Sequence, residues 1–315
     1  MTEHIPQVMV ALRKAPEFQG VDTADSITRL GGLTNLVHRV DLGERSVIVR
    51  IPGEGTEAYI DRAIEAHNAH AAARAGVSPE VVYADADSGL MITETVPNIE
   101  TMTPDLFKSR AGSPERAGAA LAKLHNSGEG FQFRFELFEM IDDYLNVLST
   151  KKVSLPEGYH DVVAAAEPVK QVLAQAHTPL APCHCDPLCE NFLDDGKIMW
   201  IVDWEYSGMN DPLWDLGDLS VEAGMDAGQD AEMMAAYFGR LPTEAEQGRL
   251  VIYKAMCDLL WTLWGLIQLA DENPAEDFWA YATGRFARCK ALMQDEGFYQ
   301  HIEACLLYTS DAADE

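Results

Sequence analysis

Residues 183–206, from Cys183 to Tyr206, read CHCDPLCENFLDDGKIMWIVDWEY. Two acidic motifs stand in this stretch. The first, His184 to Asn191, has the spacing H-x-D-x-x-x-x-N, with Asp186 as its acid. The second is Ile201-Val202-Asp203-Trp204-Glu205. Between them Asp194-Asp195-Gly196 is a turn signal, and Lys197 to Val202 reads as a strand. A hairpin over these residues folds Asp203 back beside Asn191. Two carboxylates and an amide oxygen then meet in one place, a set of hard oxygen ligands suited to Mg²⁺.

Phosphoryl transfer from a nucleotide needs these parts. One Asp takes the proton of the attacking hydroxyl and aims it, while an Asn and a second Asp hold the metal that neutralises the phosphates. A zinc reading of Cys183, His184, Cys185 and Cys189 competes. It lacks a second ligand pair, because Cys257, Cys289 and Cys305 are scattered. The cysteines are expected to be buried small hydrophobes, and His184 to fix the loop by hydrogen bonds.

The stretch resembles the catalytic core of the kinase-like small-molecule phosphotransferases, the superfamily of aminoglycoside phosphotransferases and choline and ethanolamine kinases. The resemblance implies Asp186 as catalytic base and Asn191 and Asp203 as metal ligands. A second match is Asp211-Pro212-Leu213-Trp214-Asp215-Leu216-Gly217-Asp218-Leu219. There it implies that Asp215 anchors the backbone of the catalytic loop.

Upstream, Ile5 to Arg13 reads as a short amphipathic helix. Ile27 to Leu30 is a strand running into Gly31-Gly32-Leu33-Thr34-Asn35, and Leu36 to Leu42 and Ser46 to Ile51 are two more strands. A Gly-rich turn between strands lets backbone N–H groups approach phosphates. Arg50 lies inside the apolar strand Val47-Ile48-Val49-Arg50-Ile51, so its charge needs a partner. The helix expected over Thr56 to Ala75 offers Glu57, Asp61 and Glu65, and Glu65 is the expected partner. A strand cation paired with a helix Glu holds nucleotide phosphates in kinases. That cation is usually Lys. Arg, with the run RIPGEGTEAYIDRAIEAHNA, resembles the choline-kinase-like branch. Glu80 to Ala84 and Leu90 to Val96 complete a five-stranded antiparallel sheet. By the resemblance Glu94-Thr95-Val96 is a hinge whose backbone bonds adenine.

Beyond the hinge the chain reads as helical: a helix N-capped by Ser113, then Leu137 to Leu148, Val162 to Ala176 and the long Glu244 to Ala270. Trp261 and Trp264, three residues apart, share a helix face, and Phe278-Trp279-Ala280-Tyr281 follows. Aromatic faces attract quaternary ammonium groups. The pattern W-x-x-W-x-x-I-Q followed by Y-A-x-x-R-F resembles choline and ethanolamine kinases. It implies an acceptor pocket of Asp186, Glu205, Tyr206, Trp261, Trp264 and Tyr281.

The fold implied is α+β and bilobal, like a protein kinase. Residues 1–97 form a small antiparallel-sheet lobe that binds nucleotide, and 98–305 a larger, mainly helical catalytic and substrate lobe, with ATP between them. Residues 306–315 match nothing in the family and read as a non-native tail, expected to be disordered or incidentally packed.

Bulk properties agree with a globular enzyme. The 315 residues are 47% hydrophobic and carry a net charge of −28. That charge argues against nucleic acid and anionic membrane as partners; it permits a cationic substrate and equally fits an acidic surface adapted to salt. Six cysteines without a disulfide framework, and no apolar segment after Met1, read as cytoplasmic. The longest apolar run, Leu259 to Ala270, is too short to span a bilayer. The expected function is an ATP- and Mg²⁺-dependent kinase of choline or ethanolamine, with room for a homodimer. The alternatives are an aminoglycoside or other amino-alcohol or sugar phosphotransferase, and a non-catalytic kinase-like binding module. No D-F-G or A-P-E stretch points to a peptide substrate.

Overall fold

The computed structural model describes residues 5–31, 35–53, 60–175 and 178–311. It opens with α1 (Ile5–Leu12), then β1 (Ser26–Arg29), β2 (Asn35–Leu42) and β3 (Arg45–Pro52). Next come α2 (Arg62–Arg74), β4 (Val81–Asp85) and β5 (Leu90–Glu94). The five strands form one antiparallel sheet in the order β1-β2-β3-β5-β4. Alternation along β2, β3 and β5 sends Val40, Val47, Val49, Leu90 and Ile92 to one face. There they pack with Val8, Leu12 and Phe18 into a small core. Arg50 points to the other face, toward α2 and the second lobe. Asp61 caps α2 by accepting from the N–H groups of Ala63 and Ile64. The helix therefore begins at Arg62, later than the sequence reading placed it. Residues 54–59, including Glu57, lie outside the described residues, as do Gly32, Leu33 and Thr34.

The second lobe is larger and mostly helical. After β6 (Glu100–Thr101) come α3 (Pro104–Ser109), α4 (Ser113–His125), α5 (Leu137–Ser149), α6 (Tyr159–Ala165) and α7 (Glu167–Gln175). Short strands follow: β7 (Ala181–Cys183), β8 (Phe192–Asp194), β9 (Met199–Ile201) and β10 (Gly208–Asn210). The chain ends in α8 (Leu213–Ala223), α9 (Ala227–Phe238), α10 (Glu244–Ala270), α11 (Phe278–Met293) and α12 (Phe298–Asp311). The predicted bilobal α+β architecture is confirmed.

Two local expectations are corrected. Gly112, in the left-handed conformation at φ 74°, precedes α4 in place of a serine cap. The Ser113 hydroxyl instead donates to the carbonyls of Phe107 and Arg110. The helix read over Val162–Ala176 is two helices, broken at Ala166. Pro168 has no N–H to continue the first helix, but it is tolerated in the first turn of the second. α12 runs to Asp311, six residues into the segment read as a tail.

α10 is the axis of this lobe. By length and composition it could cross a membrane, but 83% of its most apolar window is buried. It packs against α5, α8, α11 and α12. Two glycines allow close approach. A Cβ on Gly217 would lie 2.7 Å from the Tyr253 Cβ, and one on Gly265 would lie 2.6 Å from the Tyr281 ring.

Candidate active site

The hairpin forms as its residues dictate. β8 and β9 pair antiparallel, and the Val202 N–H donates to the Asn191 carbonyl at 2.9 Å. That bond sets Asp203 beside Asn191. Cys185 (φ 67°) and Asp203 (φ 70°) both take the left-handed conformation, which costs a non-glycine residue energy that surrounding contacts must cover. Those contacts are visible at Cys185. Its N–H donates to Asp215 Oδ1 at 2.8 Å, and its carbonyl accepts from Trp214 Nε1 at 3.0 Å. The His184 N–H donates to the other oxygen of Asp215 at 2.7 Å. Asp215, fully buried in the first turn of α8, thus holds two consecutive amides of the Asp186 loop. His125 Nε2 lies 3.0 Å from the same carboxylate.

His184 ties the hairpin together. Its Nε2 faces the Val202 carbonyl at 2.9 Å, its Nδ1 faces the Asp186 N–H at 3.4 Å, and its ring packs on Trp204. Burial lowers its pKa. All six cysteines are buried free thiols.

Asp186 is half-buried, and its carboxylate accepts no hydrogen bond from the described residues. Burial, then Glu222 and Asp203, push its pKa well up, against the pull of Arg285. Asn191 donates its amide N–H to the Asp186 carbonyl at 3.1 Å. Its Oδ1 and the Asp203 Oδ2 accept no protein hydrogen bond among the described residues. These two hard oxygen donors fit a Mg²⁺ ion.

The two lobes meet in a chain of alternating charges. The Arg50 guanidinium donates to Glu65 of α2 and, at 2.8 Å, to Asp203 Oδ1. Arg62 bridges Glu65 at 2.8 Å and Glu205 at 3.1 Å, and Asn35 donates to Glu205 at 3.3 Å. Burial opposes the Arg50 charge, but Glu65, Asp203 and Glu205 outweigh it and raise the pKa. Burial and then Asp203 push Glu205 up to about 7, against Arg50. Arg62 was quoted in the sequence reading but given no role; its place on α2, three residues before Glu65, is the signal that could have found it. At the end of β5, the Glu94 side chain is held by Arg45 at 3.0 Å, and Val96 is half-buried just beyond it. Gly31 is exposed and a Cβ there would meet nothing within 4 Å, so packing does not demand glycine.

The aromatic residues pair with one another. Tyr206 and Trp261 meet edge to face at 5.7 Å, as do Trp264 and Tyr281. The tryptophans differ, however. Trp261 is only 3% exposed and its Nε1 donates to Asp218 at 3.0 Å. Trp264 is half-buried, and its Nε1 donates to the Tyr206 hydroxyl at 3.1 Å. One face of the Tyr281 ring carries the Arg285 guanidinium at 4.5 Å. Asp218, Glu222 and Arg285 surround this group and were not assigned from the sequence. Asp218 and Glu222 follow Asp215 at i+3 and i+7 on α8, and that helical spacing was the readable signal.

A small sheet lobe with a buried Arg–Glu pair, leaning on an anchored Asp loop in a helical lobe, defines a kinase-like phosphotransferase. The chain belongs to the phosphotransferase enzyme family, whose model matches residues 26–247. It is similar to the solved structure of a choline/ethanolamine kinase family protein from Mesorhizobium loti. The identity is 59% and the TM-score 0.87, over 95% of this chain and 98% of that one. The choline kinase LicA from Streptococcus pneumoniae superposes with a TM-score of 0.75 at 26% identity, over 89% and 97%. The protein LicA of Haemophilus influenzae is 26% identical over 277 residues, 84% of this chain and 79% of that one.

Proposed function

We propose that this protein transfers the γ-phosphoryl group of ATP to the hydroxyl of a small cationic alcohol, choline or ethanolamine. The observation that carries the reading is the position of Asp186. Its unengaged carboxylate lies within electrostatic reach of Asp203 in the hairpin and of Asp218, Glu222 and Tyr281 on α8 and α11. The names of the relatives support the same substrate class.

In this reading Asp186 accepts the proton of the alcohol as its oxygen bonds to phosphorus and the bond to the departing ADP oxygen breaks. A raised pKa suits a general base that must hold a proton during transfer. Asn191 and Asp203 hold Mg²⁺, which supplies charge neutralisation on the phosphates when bound. Arg50, steadied by Glu65, faces the phosphates, and Asp215 keeps the Asp186 loop in its left-handed turn. Gly31, Asn35, Glu94 and Val96 border the nucleotide. The alcohol's cationic end lies among Glu205, Tyr206, Trp261, Trp264 and Tyr281, where ring faces and carboxylates both attract it.

The test is ADP release by the purified protein with Mg²⁺–ATP and, separately, choline, ethanolamine and a panel of aminoglycosides. Turnover is expected with at least one of the first two. Activity on aminoglycosides alone would overturn the substrate class, and nucleotide binding without turnover of any alcohol would make the protein a binding module.

A further inference from the structure

Within the acceptor pocket one carboxylate is left incomplete. Asp218 is fully buried. Its Oδ2 accepts from Trp261 Nε1, while its Oδ1 has no hydrogen-bond partner among the described residues. Buried carboxylate oxygens are ordinarily satisfied, because an unmade bond there forfeits hydration with nothing in return. Neighbouring cations do not fill the gap. Arg285 is taken up by Glu222 and, at 3.2 Å, by Asp258; Arg288 is engaged by Asp258 at 2.6 Å. No ion pair reaches Asp186 or Asp218 among the described residues. Burial, then Glu222 and Asp186, raise the Asp218 pKa against the weaker opposite pull of Arg285 and the Trp261 hydrogen bond.

The layout of the pocket says what could supply it. Asp186, Tyr206, Glu222, Trp264 and Tyr281 are half-buried and would form the rim of the proposed pocket, while Asp218 and Trp261 are buried and would form its floor. A trimethylammonium group is wide and has no N–H. It can lie against the rim rings but cannot hydrogen-bond to the floor. A primary ammonium is narrow, carries three donors and can donate to Asp218 Oδ1. We infer that Asp218 is a specificity-determining residue of the acceptor site, whose buried, unpartnered oxygen accepts a hydrogen bond from an amine N–H and so favours ethanolamine-type substrates over choline-type ones. This rests on the proposed alcohol kinase activity.

The experiment measures kcat/KM for ethanolamine, its N-methyl and N,N-dimethyl derivatives and choline, in the wild type and in Asp218→Asn. Asn keeps an oxygen for Trp261 but turns an N–H toward the substrate. The ethanolamine-to-choline ratio is expected to fall about 10-fold in the variant, the usual scale for a hydrogen bond to a charged group. In the wild type the largest single drop along the series should be the last, where the final N–H is lost. That second arm needs no mutant and decides the matter if Asp218→Asn does not fold. An unchanged ratio in a folded variant, or a last step no larger than the earlier ones, overturns the inference alone. A wild type that uses none of the four overturns the functional reading and the inference with it.

Discussion

The two ends of the site handle charge in opposite ways. At the end proposed for the phosphates, Asp203, Arg50, Glu65, Arg62 and Glu205 form a linear chain of ion pairs in which each group already has a partner. At the acceptor end, neither Asp186 nor Asp218 is in an ion pair among the described residues, and Asp218 Oδ1 has no hydrogen-bond partner there. In the proposed reading a polyanionic nucleotide entering the first competes with internal carboxylates for Arg50. A cation entering the second supplies what is missing. On the proposed function the protein exchanges partners at one end and gains one at the other, which gives an Arg in β3 its use. Its planar fork can hold Glu65 with one edge and keep a second edge for Asp203 or a phosphate, whereas a Lys ammonium is a point charge.

The sharpest break falls between the two ends, at Asp186. Asp186→Asn keeps the shape of the side chain and removes its capacity to take a proton. Loss of a general base typically costs about 10²–10⁴-fold in rate. Turnover is expected to fall by that factor, with nucleotide affinity, measured by calorimetry, nearly unchanged. Turnover within a few-fold of wild type would remove Asp186 from proton transfer and dissolve the division of the site into two ends.

The phosphate end is tested by Arg50→Lys. If the fork is what matters, keeping the charge does not rescue function. Losing one charge-assisted hydrogen bond corresponds to about 10- to 10²-fold. kcat/KM for ATP should drop within that range while kcat/KM for the alcohol at saturating ATP changes less. Equal losses on both substrates would show that Arg50 braces the lobes without serving the phosphates.

Much of this was legible in the chain because it rests on short-range chemistry. The Asp194-Asp195-Gly196 turn forces the hairpin, and the hairpin forces Asp203 beside Asn191 whatever the rest of the protein does. A charge inside the strand Val47–Ile51 demands a partner, and α2 is the next element that can carry one. What could not be read depends on where distant elements meet. Arg62 and Glu205 stand 143 positions apart, and nothing local to either announces their ion pair. Trp261 and Trp264 look equivalent by helical spacing. Only the packing of α8 against α10 decides that one lies under Asp218 and the other opens toward Tyr206. Asp218 itself read as one more acid in an acidic chain until its second oxygen proved to be buried without a partner.

The same inequality between the tryptophans sharpens the acceptor end. Trp264 is the half-exposed ring, packed on Phe278 and Tyr281, so it is the one with surface to offer a ligand. A cation–π contact is worth about 0.5–2 kcal/mol when desolvated, or roughly a 2- to 30-fold change in kcat/KM. Trp264→Ala should therefore weaken choline use by about that factor. Ethanolamine, which can donate to carboxylates, should lose less, so the ethanolamine-to-choline ratio rises. That is opposite to the shift expected for Asp218→Asn. The variant also removes the donor to the Tyr206 hydroxyl, and truncating a packed Trp typically costs about 3–5 kcal/mol of stability. Trp264→Phe separates these effects, because it restores a ring face without the N–H. Recovery of choline use in the Phe variant assigns the loss to the ring. Equal losses on both substrates in both variants would return Trp264 to the core and leave cation recognition to the carboxylates.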